Sequence, residues 1–180
     1  IPRAREFDRL VNEMKPLAHW TYSDMEWNSF IKEDLKESIA VNKATLRLVI
    51  IVSLVVLAVL LLIYKDNLFI LIIAGIIGML TITAFIAPRI RSYFLKKGEH
   101  EALVGERAAI IGGTFQTWTQ LGAYLVGTDI YEEPEIPVLH IIYEFPTLQT
   151  TQQEIVRIPV PKGKMEEARK IVEILRKQIN

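Results

Sequence analysis

Two uninterrupted apolar runs, residues 48–64 and 68–87, stand almost back to back, parted only by Lys65, Asp66 and Asn67. The second has no charged side chain along its length, and at about 1.5 Å per helical residue it crosses a hydrocarbon core of about 30 Å. The first crosses as well once Arg47 snorkels from its first turn toward the interface. A soluble helical hairpin presents polar residues on its outer faces, whereas Ser53, Thr81 and Thr83 are the only polar side chains in these runs. The pattern predicts a transmembrane hairpin over 44–88, with spans near 45–64 and 68–87.

Upstream, Phe7, Leu10, Val11, Met14 and Leu17 recur at spacings of three and four among charged residues, so 1–20 reads as an amphipathic helix stopped by Pro16. Ser23 to Glu26 reads as a capping box that opens a second helix with Trp27, Phe30, Ile31, Leu35 and Ile39 on one face. Trp20, Tyr22 and Trp27 are placed at headgroup level, with Arg89 and Arg91 at the same interface beyond the second span. No breaker separates Ile39 from Leu48, so this helix can run into the first span. Residues 1–43 are thereby assigned as a cytoplasmic amphipathic segment. The preferred partner for its apolar face is the C-terminal domain or a second copy, because its polar face mixes Glu33, Asp34 and Glu37 with Lys32 and Lys36.

Pro88 is expected to end the second span and 89–104 to form a mixed helical or loop linker. Beyond Gly105 the pattern changes to short β-prone runs bounded by turn residues: 107–111, a bend or bulge at Gly112 and Gly113, then 114–119, 121–130, 138–145 and 154–160. Residues 164–179 then place Met165, Ala168, Ile171, Val172, Leu175 and Ile179 on one helical face. Strands followed by a single helix predict a C-terminal α+β domain over 105–180, an antiparallel β domain closed by one α-helix. Ile171 and Leu175 are expected in its core.

In the second span Ala74, Gly78, Thr81 and Ala84 fall on one stripe, with Gly75 beside it. Small residues let helix backbones approach closely in lipid. The preferred reading is a seam that receives the first span; the alternatives are contact between chains and a narrow pore lined by Thr81.

Charge fixes the orientation. Lys43 and Arg47 precede the hairpin and Arg89, Arg91, Lys96 and Lys97 follow it, against only Lys65 in the connecting turn, so both termini are expected on the cytoplasmic side of the inner membrane. Residues 1–5 do not lead into an apolar core with a cleavage site, so no signal peptide is expected and the first span serves as the insertion signal. Twenty-one basic residues balance 21 acidic ones, which leaves no global field for nucleic acid.

Little chemistry is offered. Cysteine is absent, which excludes disulfides, thiolate metal sites and a cysteine nucleophile. His19, His100 and His140 are remote from one another in sequence, and no serine sits in a nucleophile elbow. His140 lies within the clearest strand and is expected to be a packed residue. Glu132, Glu133 and Glu135, with Asp129, could offer oxygen ligands to a hard cation, but a solvated turn is the preferred reading. Trp118 is either a core anchor or the rim of a binding groove, a choice that stays open. No enzyme activity, cofactor, metal or small-molecule substrate is expected.

The order of parts resembles the membrane-tethered pleckstrin-homology-like proteins of bacteria. The resemblance rests on the hairpin, on Trp118 midway through the strands, and on the run from Ile155 to Pro161 that leads into Lys164, Met165, Glu166, Glu167 and Ala168. It implies a cytoplasmic scaffold that binds peptides, lipids or its own copies, and assigns no functional residue. The expected function is a non-enzymatic membrane protein whose cytoplasmic domain is an interaction or self-assembly module, with the bilayer and a second copy or another membrane protein as partners. The alternative is a small homo-oligomeric channel gated by that domain.

Overall fold

Strands from both ends of the apolar hairpin share one sheet. In the computed structural model, which describes residues 16–64, 66–119, 122–147 and 150–179, β1 (Ala18–Thr21) lies before the hairpin, and β2 (Glu101–Val104), β3 (Ala108–Ile111) and β4 (Thr114–Thr117) lie after it. They pair antiparallel in the order β1-β2-β3-β4, with Trp20 opposite Ala102 and Ala102 opposite Ile111. Alternation does the sorting: Ala18 and Trp20 turn inward while His19 and Thr21 face water. Gly112 and Gly113, both at positive φ, form the two-residue turn between β3 and β4.

A second antiparallel sheet follows, β5 (Tyr124–Tyr131), β6 (Val138–Pro146) and β7 (Thr151–Pro159), in the order β5-β6-β7. Ile130, Leu139 and Ile158 stand in one cross-strand row, and a register shift between Leu125 and Gly127 bulges the edge strand. The terminal helix buries Ala168, Ile171, Val172 and Leu175, the stripe its periodicity predicts. Leu175 is fully buried and Ile171 nearly so, in the core that also holds Trp20, Trp118, Leu139, Ile141, Val156 and Ile158. The chain is thus α+β, with three helices and two antiparallel sheets among the described residues.

The helices are α1 (Asp24–Tyr64), α2 (Leu68–Lys97) and α3 (Met165–Arg176). By internal contact the chain divides into a unit formed by Ile1–Ile31 with Phe94–Asn180 and a unit formed by Lys32–Tyr93. The first contains the sheets, α3, the first turns of α1 and the last turn of α2. The second contains the rest of α1 and α2, two helices long and apolar enough to cross a membrane. In the turn between them, Asp66 Oδ1 accepts a hydrogen bond from Leu68 N at 2.9 Å.

Three expectations change. Residues 18–21 form a strand, not the end of a helix; the proposed helical face at Phe7, Leu10, Val11 and Met14 lies outside the described residues. The β unit draws on residues ahead of the hairpin, where the sequence placed its start at 105. Finally, Pro88 does not end the second helix: α2 continues through it to Lys97, and β2 follows at Glu101, so the stretch 89–104 is helix and then strand.

Candidate functional site

The root of the hairpin is built into the β unit. The capping box at Ser23 forms reciprocally: Glu26 N donates to Ser23 Oγ at 3.3 Å, and Ser23 N donates to Glu26 Oε2 at 3.1 Å. Glu26 Oε1 also accepts from Lys162 N at 3.3 Å, tying the start of α1 to the loop before α3. The Ser23 hydroxyl, which donates to Glu26 Oε2 at 2.7 Å, together with the Ser23 and Lys162 backbone N–H groups, holds the Glu26 carboxyl below the usual carboxylate range.

One turn on, Trp27 is fully buried. Its indole Nε1 donates to Leu95 O of α2 at 3.0 Å, and its ring packs 5.1 Å from Tyr22, 5.8 Å from Phe30 and 5.6 Å from His100. His100 Nδ1 stands 2.9 Å from Asp24 Oδ1. The Tyr22 hydroxyl donates to Pro159 O at 2.7 Å, and burial pushes its pKa far above the ordinary phenol value, with Glu26 adding to the shift. Gly98 meets the β3–β4 turn so closely that a Cβ there would lie 2.1 Å from Gly112 O. Trp20, Tyr22 and Trp27, expected at headgroup level, are core residues of this unit, their aromatic surface covered by protein.

Within the Lys32–Tyr93 unit, two polar contacts join α1 to α2. Asn42 Nδ2 donates to Ala84 O at 2.9 Å, and the buried Asp34 carboxylate stands 3.7 Å from Arg91. Arg91 is thus an ion-pair partner, while the Arg89 guanidinium folds back to donate to Phe85 O at 2.8 Å. Beside Asn42 lies a cavity of about 250 Å³, lined by Thr45 and Val49 of α1 and by Leu80, Thr83 and Ala87 of α2. Both threonine hydroxyls donate to their own helix, Thr45 to Val41 O and Thr83 to Met79 O, so the lining is apolar in effect.

The small-residue stripe divides. Thr81 and Ala84 are half-buried, whereas Ala74, Gly75 and Gly78 are exposed, and a Cβ on either glycine would meet nothing within 4 Å. The stripe as a whole is not the seam within the hairpin; partial burial on α2 recurs instead at Phe69, Ile73, Ile77, Thr81 and Ala84, at spacings of four and three.

In the β unit, Trp118 is fully buried and donates Nε1 to Glu106 O at 3.0 Å, which makes it a core anchor. His140 is half-buried, stacks on Tyr131 at 5.7 Å and stands in register between Asp129 and Arg157. The acidic loop is tied locally: Glu132 faces Arg169 at 3.6 Å, Asp129 faces Arg176 at 3.8 Å, Tyr131 donates to Glu133, and the Ser29 hydroxyl donates to Glu135 at 3.3 Å. Among the described residues no group of three His, Cys, Asp or Glu side chains is placed to hold a metal ion.

Sequence reasoning missed Asn42. A lone asparagine beside a span carries no motif, and the only available signal was Pro88, whose missing N–H leaves a carbonyl four residues earlier in need of a donor.

Comparison with known proteins returns no match: no protein-family model, curated protein or solved structure aligns with the chain.

Proposed function

We propose that this chain is a non-enzymatic, two-span protein of the inner membrane whose α+β unit stands on the cytoplasmic side as an interaction or self-assembly module. The observation that carries the reading is the surface of the hairpin. The most apolar stretches of α1 and α2 have none of their residues buried within the protein, and Leu54, Leu62, Leu71 and Met79 are all more than half exposed. Apolar surface of this extent is stable against lipid and costly in water. The cytoplasmic placement of both ends rests on the flanking Lys43, Arg47, Arg89, Arg91, Lys96 and Lys97.

The resemblance to membrane-tethered pleckstrin-homology-like proteins is supported by the strand count. Among the described residues there are seven strands, four in one sheet and three in the other, with one closing helix, and seven is the strand number of a full pleckstrin barrel. The hairpin then occupies the connection between the first and second strands. An interaction role is supported by Tyr124, Val126 and Ile155, apolar side chains left exposed on the edge strands β5 and β7.

The test is purification in detergent, with mass measured by light scattering and a pull-down alongside. A defined oligomer or a recovered partner is expected; a strict monomer that recovers nothing would sink the module reading. The channel reading is favoured by one observation, the open space over Gly75 and Gly78, which a second copy's helix can fill. It requires conductance in planar bilayers that Gly78→Leu abolishes.

A further inference from the structure

The pairing of α1 with α2 fixes a depth relationship that the sequence alone does not reveal. Asn42 bonds Ala84, and in an antiparallel pair each step forward along α1 is a step back along α2. Lys43 therefore stands level with Thr83, and Arg47 level with Met79. Yet α2 has no charged side chain from Leu68 to Ala87. At about 1.5 Å per residue, Lys43 is roughly 6 Å and Arg47 roughly 12 Å inside the cytoplasmic end of that apolar run.

Both cations are exposed on the helix surface, and neither has an ion-pair partner among the described residues. Elsewhere in this stretch Asp34 faces Arg91 and Glu33 faces Lys36. Four residues apart on one helix, Lys43 and Arg47 project from the same face. An unpaired guanidinium at this depth is costly unless it reaches an anion, and in a bilayer the anion within reach is a lipid phosphate.

We propose that Lys43 and Arg47 form a binding site for an anionic phospholipid of the inner leaflet, clamping its phosphate while its acyl chains lie along the hairpin. The proposal rests on the membrane reading above. Anionic lipid is favoured over zwitterionic because the two positive charges have no acidic partner, and a headgroup that carries its own ammonium offsets them poorly. Basic residues near the surface favour anionic lipid, and two together give a preference of roughly tenfold.

The experiment uses the full chain. Membranes are first extracted with alkaline carbonate; the protein is then purified in non-ionic detergent, incubated with equal amounts of phosphatidylglycerol and phosphatidylcholine of matched chains, repurified, and its retained lipid quantified. Carbonate-resistant protein that retains phosphatidylglycerol at least several-fold over phosphatidylcholine is expected. The Lys43→Gln/Arg47→Gln variant should lose the preference, while Lys43→Arg/Arg47→Lys and Lys96→Gln/Lys97→Gln keep it. Millimolar inorganic phosphate should not displace the lipid. Equal retention of the two lipids, or an unchanged preference in the double glutamine variant, would overturn the site while leaving the membrane reading intact. Displacement by phosphate would make it a soluble-anion site instead. Release by carbonate would overturn both.

Discussion

Asn42 donates its side-chain amide to the backbone carbonyl of Ala84, the carbonyl that would accept from residue 88 if residue 88 were not proline. The 2.9 Å bond replaces the helical hydrogen bond that Pro88 cannot make, and α2 continues for another nine residues to Lys97. A neighbouring helix commonly repairs a proline gap this way where water is scarce. Asn42→Leu should therefore cost about 0.6–2 kcal/mol in detergent unfolding. With Pro88→Ala already in place the cost should shrink, because the alanine N–H at position 88 supplies the donor. An equal cost in both backgrounds would mean that Asn42 serves some other purpose.

Gly98 and Gly113 separate steric from conformational need. A methyl group on Gly98 would lie 2.1 Å from Gly112 O, so Gly98→Ala must move α2 or the β3–β4 turn. Gly113 has open space but a φ of 76°, so alanine there should cost only about 1–2 kcal/mol. Thermal unfolding of the purified protein should fall further for Gly98→Ala; the reverse order would contradict the close approach.

At the other end of the chain, Leu175→Ala should cost about 2–5 kcal/mol, the range for emptying a fully buried leucine site. Leu175→Asp should unfold the β unit and leave the hairpin in the membrane fraction. Unchanged melting of Leu175→Asp would make α3 an exposed element.

Acid should weaken the β unit through Glu26. Its carboxyl is held below the usual range by Ser23 and Lys162, so the folded state binds the proton less readily than the unfolded chain does. That contribution is complete above the ordinary glutamate pKa of about 4.3 and is lost as pH falls through the depressed folded value. Glu101, lowered chiefly by its hydrogen bond with His19, acts in the same direction. Melting temperature should be flat from pH 7 to about 5 and fall below about 4, and Glu26→Gln should reduce that fall. An identical acid limb in Glu26→Gln would remove Glu26 from the explanation.

The legible parts of this fold were those governed by local rules. Both long helices, the Ser23 capping box, the last three strands and the buried stripe of α3 all announce themselves within a few residues. β1 did not: it has four residues, and Leu17, Trp20 and Met14 also fit a helical spacing. Its partner β2 lies beyond the whole hairpin, so no local signal could pair them. The same distance hid the role of Tyr22 and Trp27, which read as interface aromatics beside a span until Leu95, His100 and Pro159 are seen to pack on them or accept their hydrogen bonds. Pro88 read as a terminator because Asn42 is remote from it in sequence.

Topology is the most direct check on the central claim, and the absence of cysteine makes it clean. Single cysteines placed by Asn67→Cys, in the turn between α1 and α2, and by Gln178→Cys, after α3, report their own sides to a membrane-impermeant maleimide in intact cells. Asn67→Cys should label before lysis and Gln178→Cys only after it. Labelling of Gln178→Cys in intact cells, or protection of both positions until lysis, would contradict a two-span hairpin with the α+β unit in the cytoplasm.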